Sequence, residues 1–297
     1  MRLKAVVMAM ALCGLALPAS AQIIATSIPR AEGAGKGKAA GTEERFAFHI
    51  MGSPLAKWNF GELYLDYSDV IGTIHSTPNS NFLFAAEAVL AAGSDFSIGV
   101  GGWYNKIGSH EFDFSGRPFD QGVYNITGNI YAVLDTDIKT YEGHVGLFYK
   151  DFGVQGGIVN TTGSVGPNGH LTAVHGQPAT APFTLEARPD AKTTDWDLFG
   201  VYKHSFGSRR TGSTQVGLSV GAGMYRKQGV TGSPLRSDKD LTVFSGFATL
   251  NLDLYKGLGI DVSYWYVAKT DADTPAGPVA GKSQSRFTVG VGYTFSL

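Results

Sequence analysis

The stretch Arg286-Phe287-Thr288-Val289-Gly290-Val291-Gly292-Tyr293-Thr294-Phe295-Ser296-Leu297 decides the fold. Phe287, Val289, Val291, Tyr293, Phe295 and Leu297 share one phase; Arg286, Thr288, Gly290, Gly292, Thr294 and Ser296 hold the other. Side chains two apart on a strand point to the same face, so this segment presents one fully apolar face and one small or polar face. A helix would scramble that division.

The pattern recurs upstream. Leu258, Ile260, Val262, Tyr264 and Tyr266 alternate with Gly259, Asp261, Ser263 and Trp265, and Phe244, Ala248, Leu250, Leu252 and Leu254 alternate with Ser245, Thr249, Asn251 and Asp253. Val216, Leu218, Val220, Ala222 and Met224 face away from Gln215, Gly217, Ser219, Gly221 and Gly223, and Trp196, Leu198, Tyr202 and Phe206 face away from Asp195, Asp197 and Lys203. Phe96, Ile98, Val100 and Tyr104, then Tyr141, Val145, Leu147 and Tyr149, continue it in the first half. Further strands are expected near 58–71, 82–91, 122–134 and 153–162, with a short one at 44–51.

That makes twelve strands as the first reading and ten as the alternative, an even number being the rule for bacterial single-chain barrels. Short connections at Lys150–Gly153, Gly207–Gly212 and Lys256–Gly257 contrast with long ones at 163–192, 228–239 and 270–284. With twelve strands the short Ala92-Gly93-Ser94-Asp95 turn falls on the long-loop side. The conflict implies one misplaced strand between 72 and 137.

At the other end, Arg2 and Lys4 precede an apolar run from Ala5 to Leu17 and the small residues Ala19-Ser20-Ala21. This reads as a cleaved secretory signal over 1–21. Residues 22–43, rich in Ala, Gly and Lys, read as a flexible periplasmic segment, and 44–297 as the folded domain. The single cysteine, Cys13, lies in the signal, so the mature chain is expected to carry no disulfide and no thiolate metal site. Removing Arg2 and Lys4 from 24 basic residues against 25 acidic ones leaves a net charge of −3, which argues against nucleic acid as a partner. No apolar run beyond the signal approaches the roughly 20 residues of a membrane helix. A closed barrel is the other structure that satisfies every backbone polar group in lipid.

The export signal, the repeated alternation and the ending Tyr293-Thr294-Phe295-Ser296-Leu297 resemble the bacterial outer-membrane β-barrel superfamily, porin-like but of no particular family. The resemblance implies an all-β, transmembrane antiparallel barrel in the cell outer membrane. It implies that Tyr293, Phe295 and Leu297 form the signal read by the barrel-assembly machinery, although Leu297 stands where an aromatic residue is usual. Aromatics near strand ends, Trp58, Tyr104, Tyr149, Tyr202, Tyr225, Tyr266 and Tyr293, are the candidates for interfacial girdles.

The expected lumen face holds Asp66, Glu87, Glu142, His144, Asp195, Asp197, Lys203, Asn251, Asp253, Asp261 and Arg286. Rings of carboxylates raise local cation concentration, so a passive, weakly cation-preferring channel for ions or small solutes is the leading expectation. A filled lumen serving a structural or surface-interaction role is the alternative. A lipid-modifying enzyme is the third reading, but no catalytic motif supports it. His204 and Ser205 are adjacent and point to opposite faces; His144 beside Glu142 shares a face but has no serine fixed near it. His170 and His175 lack a nearby carboxylate or cysteine at ligand spacing, and the glycine runs open no helix, so neither metal nor cofactor is expected. The partners expected are outer-membrane lipids, the assembly machinery, and small solutes or ions. A secreted β-sandwich is the structural competitor.

Overall fold

The computed structural model describes residues 46–53, 59–67, 72–92, 95–115, 130–174, 177–184, 191–206, 215–229, 239–255, 257–268, 272–274, 277–281 and 283–296, with side chains described for part of these. The expected signal and lead-in, 1–21 and 22–43, lie outside the described residues, as do Trp58 and Leu297.

All described elements are strands: β1 (Phe46–Ser53), β2 (Asn59–Tyr67), β3 (Gly72–Ala91), β4 (Phe96–Ser115), β5 (Ile130–Tyr149), β6 (Phe152–Val174), β7 (Gln177–Thr184), β8 (Ala191–Phe206), β9 (Gln215–Lys227), β10 (Leu241–Tyr255), β11 (Leu258–Val267), β12 (Ala272–Thr274), β13 (Gly277–Gly281) and β14 (Gln284–Ser296). Pairing is antiparallel throughout. It runs from β3 through β4, β5, β6, β8, β9, β10 and β11 to β14. β1 closes the cylinder by pairing with both β14 and β3.

The wall has ten positions among the described residues, so the expectation of twelve is corrected to its alternative of ten. Two mergers account for the difference. β1 and β2 both pair with β14 and β3, so the segments read as two strands occupy one wall position end to end. The strand expected at 122–134 is not separate either. Its described part begins at Ile130 and runs on unbroken to Tyr149. With ten positions, the ends of β3, β5, β8 and β10 and the starts of β4, β6, β9 and β11 all lie at the end that also carries the start of β1 and the end of β14. The parity conflict disappears.

The expected long loop at 163–192 is largely strand. β6 continues to Val174 and folds back through β7. Beyond a bilayer no lipid demands an apolar outer face, so these Gly-, Thr- and Pro-rich extensions lack the alternation by which strands were recognised. The connection at 270–284 likewise contains the small β12–β13 hairpin.

The barrel is apolar outside and largely polar inside. Leu147, Phe152 and Tyr255 are 62%, 67% and 66% exposed, and the outward rows of neighbouring strands join them into a continuous belt. On β4 the belt runs from Phe96 to Tyr104, nine residues. At roughly 3.3 Å per residue this is about 26 Å of strand, and it meets the roughly 9–11 residues that a tilted strand needs to cross hydrocarbon. A soluble monomer rarely exposes a contiguous apolar patch above a few hundred Å². The belt is incompatible with the sandwich alternative, which would bury that face.

The turn between β5 and β6 is tight. Lys150 adopts φ 54° there, a left-handed conformation, and its N–H donates to Asp95 O of the neighbouring turn at 2.6 Å. Gly257, at φ 92°, does the same work between β10 and β11, donating its N–H to Asp253 Oδ1 at 3.0 Å.

Candidate functional site: the polar lumen

Period-two geometry turns Glu87, Glu142, His144, Asp195, Asp197, Lys203, Asn251, Asp253 and Asp261 to the inner face; all but Lys203 are almost fully buried, and the Lys203 side chain is 13% exposed. Asp66 lies on β2 and Arg286 on β14, but their side chains are outside the described set.

Three polar clusters organise this interior. In the first, His144 Nδ1 and the Glu142 carboxylate, two residues apart on β5, lie 2.9 Å apart. Lys203 Nζ donates to Glu87 Oε1 at 2.8 Å and sits 4.4 Å over the Phe148 ring. Asp197 joins them because Gly157 registers between His144 and Asp197. A Cβ at Gly157 would stand 2.6 Å from Glu142 Oε1 and 3.1 Å from both Asp197 oxygens, so the missing side chain makes room for the acids.

The second cluster crosses the seam where the cylinder closes. His49 on β1 meets Thr294 Oγ1 on β14 at 2.7 Å through Nδ1 and Asp261 Oδ2 on β11 at 3.1 Å through Nε2. Asn251 Nδ2 on β10 donates to Asp261 Oδ1 at 2.7 Å. If Nε2 carries the proton to the carboxylate, Nδ1 accepts from the threonine hydroxyl, and every contact is satisfied by one neutral tautomer. The hydroxyl–imidazole–carboxylate order is that of a nucleophile relay, yet Thr294 is 3% exposed, His49 1% and Asp261 1%. A hydroxyl sealed from water and lipid reaches no substrate, so this relay ties strands together. In the third cluster Tyr225 O–H donates to Asp195 Oδ2, and the Gln228 N–H donates to Asp195 Oδ1 at 2.8 Å.

Tyr225 is thereby a correction. It was expected in the outer girdle, but it falls in the inward phase of β9 and is fully buried. Residue type and closeness to a strand end selected it, whereas the side-chain phase places it inside. Tyr149 and Tyr293 are about half exposed on the outer face at the short-turn end. Tyr202 also faces outward there, packing on Phe152 at 5.0 Å between ring centroids. Tyr104 and Tyr266 lie on the outward rows toward the opposite end.

Apolar filling was missed at the sequence level. Trp103, Phe148, Phe199, Phe247 and Trp265 all point inward and are at most 4% exposed, forming one packed cluster with Met51, Leu83 and Tyr225. Phe199 and Phe247 meet edge to face at 5.4 Å, and Tyr225 and Trp265 at 6.2 Å. Inward glycines leave the space: a Cβ at Gly221 would collide with the Phe247 ring, and one at Gly146 would stand 2.6 Å from Phe148. The available signal was Trp265, a large ring in a phase otherwise made of Gly, Asp and Ser.

No family model matches the sequence, and no curated protein matches it either. Several solved structures are similar in architecture. The outer-membrane protease OmpT from Escherichia coli is 10% identical, with 84% of this chain and 97% of that one covered at a TM-score of 0.43. The translocator domain of the autotransporter NalP from Neisseria meningitidis is 9% identical, over 84% and 88%, at 0.42. The attachment invasion locus protein Ail of Yersinia pestis is 12% identical, over 85% and 99%, at 0.29. These neighbours are bacterial outer-membrane β-barrels. The present chain is likewise a closed β-barrel, and at such scores the likeness says nothing about activity.

Proposed function

We propose that the chain spans the bacterial outer membrane and acts as a scaffold closed at mid-height, anchoring in the bilayer and presenting its long connections and the β6–β7 extension outside. The observation that carries this is the packed interior, in which Phe199, Tyr225 and Trp265 are at most 1% exposed. A small barrel is readily filled by its own side chains. The short-turn end then faces the periplasm, and Tyr293 and Phe295 on the outer face of β14 present the row that the assembly machinery would read. The test is recording from refolded protein in planar bilayers. The wild type is expected to be silent, and truncating the plug with Phe199→Ala and Phe247→Ala together is expected to open a conductance. Steady conductance from the wild type refutes the closed-scaffold reading.

One observation favours a second reading, a narrow cation-preferring channel. His144 Nε2, Gln155 Nε2, Gln215 Oε1, Ser219 Oγ, Thr249 Oγ1 and Asn251 Oδ1 are buried without a hydrogen-bond partner among the described residues. Such groups are costly unless water or ions reach them. Under this reading the same recordings show wild-type current with a reversal potential displaced toward cations.

A further inference from the structure

We propose that the outer wall carries a docking row for the phosphate groups of an anionic glycolipid in the external leaflet, formed by Lys106, Lys139 and Lys192. The proposal rests on the membrane-spanning reading above.

The row follows from register. Lys106 on β4 lies directly opposite Lys139 on β5, Lys139 opposite Thr162 on β6, and Thr162 opposite Lys192 on β8. All four residues belong to the outward phase. Adjacent strands stand about 4.8 Å apart, so the three ammonium groups spread over roughly 14 Å of wall. Height is fixed by the neighbouring row: Tyr104 and Tyr141 are opposite one another two residues nearer the belt, and beyond them the outer face turns from apolar to cationic. The β6–β7 extension and the β12–β13 hairpin stand at this end.

Like charges directly opposed on a sheet are destabilising. Asp137 offsets only part of the charge: it accepts from Lys139 Nζ at 2.8 Å and lies 3.7 Å from Lys106 Nζ. Two of the lysines are half exposed, at 50% for Lys106 and 44% for Lys139, so their ammonium groups reach solvent at headgroup height. Thr162 stands between the cations, and Asn160 and Thr194 continue the row of Tyr104 and Tyr141 just below them, with the Thr194 hydroxyl donating to Asn160 Oδ1 at 2.9 Å. Cations flanked by hydroxyl and amide donors, directly above an apolar surface, match a ligand with phosphates on a sugar headgroup and acyl chains below. A free phosphate would meet the same lysines but gain nothing from the belt.

The experiment floats refolded protein with phosphatidylcholine vesicles doped with diphosphoryl lipid A or with the same lipid stripped of phosphate, and measures co-purifying lipid A. Wild type is expected to retain the phosphorylated form selectively. At about fivefold per lysine near an anionic surface, the triple variant K106Q/K139Q/K192Q is expected to lose retention on the order of 100-fold. Asp137→Asn removes the competing anion and is expected to tighten retention about fivefold. Heat-modifiable gel mobility verifies that each variant is folded. Equal retention by wild type and triple variant, no preference for the phosphorylated lipid, weaker retention by D137N, or full displacement by millimolar inorganic phosphate overturns the proposal. Failure of the wild type to float at all overturns the spanning reading itself, a separate result.

Discussion

Val145→Arg is the substitution that most directly separates a membrane wall from a soluble sheet. Val145 lies midway along the belt of β5, between Tyr141 and Tyr149, is 53% exposed, and has Val100 and Gly156 as its cross-strand neighbours. In water, replacing an exposed valine by arginine changes stability by roughly 0.5 kcal/mol or less. At the centre of hydrocarbon the same change costs about 2–4 kcal/mol. Since each 1.4 kcal/mol is roughly tenfold, the folded-to-unfolded ratio falls by about 30- to 700-fold. Thr194→Arg is the matched control: it is outward-facing at the rim of the belt, in the register row of Tyr104 and Tyr141, where the cost shrinks to about 0–1 kcal/mol. Reversible guanidinium titration in vesicles, followed by tryptophan fluorescence, measures both. Equal effects within about 0.5 kcal/mol would refute the assignment of the exposed apolar face to lipid.

Inside the lumen, Lys203→Met removes the cation bonded to buried Glu87 and is expected to cost about 3–5 kcal/mol in the same titration, while Lys203→Met with Glu87→Leu recovers most of it; no recovery would mean that the ion pair is not what the lysine supports. At the rim beyond the belt, the hydrogen bond from Lys139 is the main influence holding the Asp137 carboxyl below its ordinary value; burial opposes it, and the charges of Lys139 and Lys106 add to the lowering. Because the folded value is the lower one, its stabilisation is complete above the unfolded value of about 3.9 and disappears as pH falls through the folded value. An NMR titration of Asp137 should therefore show protonation at a lower pH than in Lys139→Met; identical midpoints would contradict the assignment.

Strand existence and side-chain phase were legible because lipid outside and polar groups inside impose a strict two-residue period, and every described candidate on the lumen face keeps the phase read from sequence. Pairing was less legible. Nothing in the alternation of 44–51 and 58–71 says that β1 and β2 share one wall position, since that depends on partners more than 200 residues away in β14. The full length of β6 was hidden because its far half stands beyond the belt, where Gly, Asn and Pro serve as well as Val or Leu. In the lumen, acids were visible by type, but their convergence with His144 depends on Gly157 lying beside them in the next strand. His49 was passed over because its segment is short and its partners, Asp261 and Thr294, come from the other end of the chain.

The His49 cluster also bears on how the molecule is made. Its bond to Thr294 spans 245 positions of sequence, and the strand that carries Thr294, β14, is the one that closes the cylinder against β1. Contacts of such separation form only after the loop they close has lost its freedom, which places them late and makes them slow. Until β14 arrives, the edges of β1 and β11 remain unpaired ladders open to any other chain. Each copy therefore passes through an interval of vulnerability to aggregation, ended when the thirteen residues of β14 dock.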